Sequence, residues 1–137
     1  MNKNMLQIVG ILYRTYLSYA SDFLKDTDIS FSESVVLSNV GMTQGISQEE
    51  ISMYLYIDRA AIARNVKTLE KKGYVLTRRN TCDKRKKELY LTDSGQKIFE
   101  YIEAHNAERL KQLFEGISKD EISVFQDVLC KIENNII

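Results

Sequence analysis

The pattern Ile-Ser-x-x-Glu occurs three times, at Ile29-Ser30…Glu33, Ile46-Ser47…Glu50 and Ile117-Ser118…Glu121. In each, the serine can accept from the glutamate amide while the glutamate reaches back to the serine amide, so each marks a helix start. At the second and third sites Ile46 can staple to Ile51 and Ile117 to Ile122. Three such starts and no proline in 137 residues direct the chain toward a mainly helical fold with few rigid turns.

The rest of the pattern falls around these starts. Leu6, Val9, Leu12/Tyr13, Tyr16/Leu17, Ala20 and Phe23/Leu24 repeat at helical spacing and predict a first helix over about 3–25. A short second helix is predicted over 31–40, stopping near Gly41, and a third over 48–54. Asp58 is the cap expected for a fourth over 59–72, with Gly73 as its left-handed terminator. The period then changes. Segments 74–79 and 88–91 read as two strands joined by the polar stretch 80–87. Thr92 caps a fifth helix over 93–115 that ends at Gly116, and a sixth runs from Lys119 to the C-terminus. The length suits one domain with its own core, and no repeat or linker divides it.

Charge is laid over this order unevenly. Residues 59–87 hold 11 of the 19 basic side chains and 2 of the 19 acidic ones, a net +9 that the remainder cancels with −9. One region is built to meet a polyanion and the rest would repel it. On a helical wheel of the fourth helix, Ile62, Val66 and Leu69 share one face. Ala60, Ala63, Arg64, Lys67, Thr68 and Lys71 share the other. A short helix, a tight turn and this helix make a helix-turn-helix, whose second helix enters a major groove. Arg64 suits guanine O6 and N7, Ala60 and Ala63 suit thymine methyls, and Lys67, Thr68 and Lys71 suit phosphates. The hairpin adds Arg78, Arg79, Lys84, Arg85, Lys86 and Lys87. Arg85 is placed for a minor groove, and Asp83, two residues away, can orient its guanidinium. A basic helix face alone is often only solvated surface; here it coincides with a basic hairpin and a capped preceding helix.

Other classes find little support. The sequence has no HExxH, phosphate loop or nucleophile elbow, and one histidine and two distant cysteines leave little for catalysis, so no enzyme, metal or cofactor is expected. No apolar run approaches the length of a membrane span. Cys82 and Cys130 form no metal spacing or disulfide framework, and a cytoplasmic, reduced protein is expected.

The motifs Ile46-Ser47-Gln48-Glu49-Glu50-Ile51, Asp58-Arg59…Arg64…Leu69-Glu70-Lys71-Lys72-Gly73-Tyr74-Val75, Arg78-Arg79…Asp83-Lys84-Arg85 and Leu91-Thr92-Asp93-Ser94-Gly95 resemble the MarR family of bacterial winged-helix regulators. The resemblance implies a single MarR-like domain over 1–137. Its winged helix-turn-helix part is 30–91, and segments 1–27 and 93–137 form a helical dimerisation region. It implies a homodimer that reads a pseudo-palindromic operator in double-stranded DNA and represses nearby genes. Arg59, Ala60, Ala63, Arg64, Lys67 and Thr68 become the recognition-helix contacts. Arg78, Arg79, Asp83, Lys84, Arg85 and Lys86 become the wing contacts, with Arg85 the wing arginine and Asp83 its partner. Many members release DNA when a small, often aromatic or phenolic ligand binds between the two regions. Tyr13, Tyr16 and His105 are the candidate pocket residues, against core or interface packing for the tyrosines and a structural role for the histidine. The chain departs from the family in one respect. Alanines stand where small hydroxyl residues are common early in the recognition helix, which leaves nonspecific or architectural DNA binding as the alternative.

Two cysteines remain. Cys82, near Arg79, Lys84 and Arg85 in the chain, reads first as an incidental exposed thiol, with a redox switch as the alternative. Cys130 recurs with Val124, Val128 and Ile132 near one helical face, which predicts buried packing.

Overall fold

The computed structural model describes residues 1–136. In order they form α1 (Met5–Leu24), α2 (Phe31–Met42), α3 (Gln48–Leu55), α4 (Arg59–Lys71), β1 (Val75–Arg79), β2 (Lys87–Leu91), α5 (Asp93–Leu113) and α6 (Lys119–Asn134). α6 ends at Asn134, capped by Asn135, short of the expected run to the C-terminus; residue 137 lies outside the described residues. Two compact units result, Met1–Glu103 and Ala104–Ile137.

The serine start signals work as caps. Ser30, Ser47 and Ser118 each accept from the amide of the glutamate three residues on. Glu50 and Glu121 complete the box by accepting from the serine amide at 2.9 and 3.0 Å. Glu33 does not. One of its oxygens takes the Ser30 hydroxyl and the other takes Lys72 Nζ at 2.7 Å. A cation brought close by the fold outcompetes a local amide for a carboxylate, because a charge-assisted hydrogen bond is the stronger one. A further box, Asn4 with Gln7, opens α1.

In the first unit the core is a single cluster drawn from every helix and both strands. Ala20, Phe23 and Leu24 come from α1, Val36, Leu37 and Val40 from α2, and Ile51 from α3. Ile62, Val66 and Leu69 come from α4, and Val75, Leu89 and Ile102 from β1, β2 and α5. The apolar stripe of α1 therefore splits. Its C-terminal end is buried, while Leu6, Val9 and Leu12 stay exposed. Gly41 does not stop α2, which runs on to Met42. Its role is steric, since a Cβ there would strike the Phe99 ring.

The hairpin is antiparallel, in register from Val75↔Leu91 to Arg79↔Lys87. Leu89 also exchanges two backbone hydrogen bonds with the segment before α3, Gly45 N to Leu89 O at 2.8 Å and Leu89 N to Ile46 O at 2.9 Å. That fastens the hairpin to the helix-turn-helix. At the far end Thr92 accepts from the Gly95 amide, which caps α5, and donates to Gly73 O at 2.6 Å. Gly95 has to be glycine because a Cβ would overlap the Tyr74 carbonyl.

In the second unit Phe114 and Phe125 meet edge to face at 6.2 Å. Val124, Phe125, Val128, Leu129 and Ile132 along α6 are all exposed. Cys130 is exposed with them. The expected burial of Cys130 fails because an amphipathic stripe signals an apolar face, and this chain does not cover it.

Candidate nucleic-acid interface

The candidate interface is built on α4. Asp58 caps it by accepting from the Ala61 amide, and Ile62, Val66 and Leu69 are fully buried. Burial of that face turns Ala60, Ala63, Arg64, Lys67 and Lys71 outward, and all five are exposed. Arg59 is exposed too, but its guanidinium pairs with Glu49 on α3 at 2.6 Å. Thr68 fits its phosphate role poorly: it is half-buried and its hydroxyl donates to Arg64 O at 3.0 Å. A phosphate oxygen only accepts, and this donor is already engaged inside the helix.

The turn into α4 is locked from behind. The Ser52 hydroxyl donates to Ile57 O at 2.5 Å and the Ile57 amide donates to Ser52 O at 3.1 Å. The far end of α4 is held by Lys72, which donates to Glu33 and to the Asp28 carbonyl. Tyr74 donates to Asp28 Oδ1 at 2.6 Å. That hydrogen bond, aided by burial and by the Asp28 charge, pushes the Tyr74 phenol up to about 12.

The wing tip is organised by a residue the charge pattern does not single out. Asn80 Oδ1 accepts from the amides of Cys82 and Asp83 at 2.8 and 3.0 Å. Its Nδ2 donates to Glu88, and its own amide donates to Lys86 O at 2.9 Å. The available signal was the asparagine itself, a residue that forms turns by bonding amides two and three positions on. Asp83 is not the partner of the Arg85 guanidinium. Its Oδ1 accepts from the Arg85 backbone amide at 3.0 Å. A side chain this short reaches its neighbour's backbone more easily than the end of an arginine, and so it shapes the turn.

The wing cations are not alike. Arg79, Lys84 and Arg85 are exposed. Arg78 lies over the Tyr90 ring at 5.3 Å from its centroid. Lys86 is drawn back to Glu50 on α3 at 3.2 Å, across a cleft lined by Ser47, Glu49, Met53 and Arg85. The Ser47 amide hydrogen bond, with the Lys86 charge, holds the Glu50 carboxyl below its usual range. Hydrogen bonds from Tyr90 and Asn80 do the same for Glu88, and the Glu88 contact raises the Tyr90 phenol.

The candidate ligand-pocket residues differ in exposure. Tyr13 is exposed on α1, Tyr16 packs edge-on against Phe31 at 5.9 Å, and His105 is half-buried on α5. Cys82 is exposed at the wing tip. Among the described residues no group of three or more His, Cys, Asp or Glu is placed to hold a metal ion. No helix there is long and apolar enough to cross a membrane.

With this geometry in place, comparison with known proteins is decisive. A MarR family model matches residues 27–86, from just before α2 to the wing tip. The HTH-type transcriptional regulator YdgJ of Bacillus subtilis (strain 168) is 34% identical over 110 residues, spanning 80% of this chain and 67% of the relative. The chain belongs to the MarR family. As a MarR-family protein it is a winged-helix transcriptional regulator. Its fold matches that of the transcriptional regulator SlyA at a TM-score of 0.87, with 26% identity over 98% of this chain and 94% of that one. It also matches a MarR family regulator from Listeria monocytogenes, solved with a 26mer DNA, at a TM-score of 0.90. There the identity is 29% over 98% of this chain and 90% of that one.

Proposed function

We propose that this MarR-family protein is a cytoplasmic, sequence-specific repressor that binds double-stranded DNA as a homodimer on a pseudo-palindromic operator. The observation that carries the reading is the exposed cationic face of α4, set opposite a fully buried face and beside the exposed wing cations Arg79, Lys84 and Arg85. Its likeness to a regulator solved with DNA supports the same reading. The reading part is assigned to 30–91, with Ala60, Ala63, Arg64 and Lys67 in a major groove and Arg85 in a minor groove. The exposed apolar faces of α1 and α6 support dimerisation through the terminal segments 1–27 and 93–137. Release of DNA by a small aromatic ligand enters from the family resemblance, with Tyr13, Tyr16 and His105 as candidate contacts.

A gel-shift titration on the DNA flanking the protein's own gene, beside scrambled DNA of equal length, tests the reading. Tight binding to the flanking DNA alone is expected. If roughly 6–10 phosphates are neutralised, affinity falls ~10³–10⁵ between 50 and 200 mM salt. Equal affinity for both DNAs would favour the architectural reading, which the donor-free side chains of Ala60 and Ala63 support. Phenolic acids added to the bound complex then test ligand release.

A further inference from the structure

We infer that Tyr56, in the turn between α3 and α4, donates a hydrogen bond from its phenol to a DNA backbone phosphate beside the recognition helix. The inference rests on the DNA-binding reading above and adds a contact to it. Tyr56 is the one non-glycine residue with a left-handed backbone among the described residues, at φ 55 and ψ 41. Its amide closes α3 by donating to Ser52 O. Glycine would perform that cap without the steric penalty a Cβ brings to this conformation. A bulky aromatic residue there calls for a reason beyond the cap.

Burial does not supply it, since Tyr56 is 53% exposed. Internal hydrogen bonding does not either. The hydroxyls of Tyr74, Tyr90 and Tyr101 are taken by Asp28, Glu88 and the Phe23 carbonyl, whereas that of Tyr56 has no partner among the described residues. Its place in the chain fits a phosphate contact. It precedes Arg59 by three residues, at the end of α4 that a helix-turn-helix directs to DNA. Tyrosine hydroxyls are regular donors to the DNA backbone. At the start of α4 the side chains of Ala60, Ala61 and Ala63 provide no donor and Arg59 is paired with Glu49, so a hydroxyl from the preceding turn supplies what that end lacks.

The test is a set of binding titrations on a random-sequence duplex across a salt series, with thermal melts of the same proteins. Phosphate contacts are independent of sequence, so no operator is needed. Tyr56→Phe should lower affinity about tenfold through loss of a hydrogen bond to a charged acceptor. Its Tm and the slope of log K against log salt should match wild type, because no charge is removed. Tyr56→Gly should raise Tm by relieving the left-handed backbone, yet also weaken binding. Arg85→Ala is the reference: it should weaken binding and reduce the salt slope by about 1. Wild-type affinity for Tyr56→Phe while Arg85→Ala weakens binding would overturn the Tyr56 contact and leave the DNA reading standing. Weakening by Tyr56→Gly but not by Tyr56→Phe would also overturn the phosphate hydrogen bond. If Arg85→Ala and Tyr56→Phe both bind as wild type, the DNA reading fails and this inference with it.

Discussion

The recognition helix and the wing carry similar charge to the same surface by different means. The cations of α4 are aimed by apolar packing, because Ile62, Val66 and Leu69 are fully buried on the opposite face. At the wing Val75 and Leu89 are buried in the core and Leu91 packs against it, partly buried. Beyond them the tip is shaped by hydrogen bonds: Asn80 accepts from the Cys82 amide and donates to Glu88, and Asp83 accepts from the Arg85 amide. A helix held by volume is sensitive to cavities, and its packed face carries no titratable group. A loop held by amides and carboxylates is sensitive to single polar groups while the rest of the fold ignores it. The cations differ accordingly: Arg64 and Lys67 project from a rigid rod, and Lys84 and Arg85 from a turn whose geometry depends on one asparagine.

Leu69→Ala should break the first half of this comparison with the largest effect. Removing a fully buried leucine side chain destabilises by about 2–5 kcal/mol, depending on how far the site collapses. Denaturant unfolding measures it, and DNA binding should fall only as far as the folded fraction does. A loss below about 1 kcal/mol would mean that packing does not hold α4 in place.

Asn80→Ala addresses the second half. It removes two acceptor contacts and one donor contact at an exposed tip, so global stability should fall by only about 1 kcal/mol. Amide exchange at Cys82 and Asp83 should accelerate, and DNA affinity should drop as it does for Arg85→Ala. Unchanged exchange at those two amides would show that Asn80 does not set the turn.

What was legible in the sequence follows the same division. Helix starts, the buried face of α4 and the left-handed Gly73 (φ 80) were readable because caps and periodicity act over a few residues. The candidate cations were readable as a set because charge needs only composition. Their individual fates were not, because each depends on a partner brought near by the fold. Lys86 turns back to Glu50, Arg59 to Glu49, and Glu33 leaves its capping box for Lys72, 39 residues away. Gly41 looked like a terminator because its neighbour Phe99 is distant in sequence. Cys130 looked buried because periodicity reports an apolar face without reporting what covers it. Asn80 carries no charge, so the charge pattern does not mark it, although its turn chemistry is local.

The smallest effect sharpens the contrast in pH response. Glu50 caps α3 through Ser47 and ties the wing through Lys86, and both contacts favour its charged form, the Ser47 amide most. Its folded pKa lies below the ordinary value of 4.5. The stability it contributes is therefore fully present above that value and is lost as pH falls through the lowered one. Glu50→Gln should flatten this part of the acid limb, seen as a difference from wild type that shrinks between about pH 5 and pH 3. The Lys86–Glu50 pair is nearly half exposed on each side, so solvent screening limits its share to below about 1 kcal/mol. Lys86→Met should reproduce only part of the Glu50→Gln effect, because it leaves the Ser47 hydrogen bond in place. Equal effects from the two variants would mean that the wing tether, and not the helix cap, dominates the Glu50 carboxylate. Arg64→Met should leave the acid limb as it is, since no carboxylate is paired with Arg64 among the described residues. Acid would then loosen the wing while the recognition helix keeps its packing, separating in one titration the two ways this surface is built.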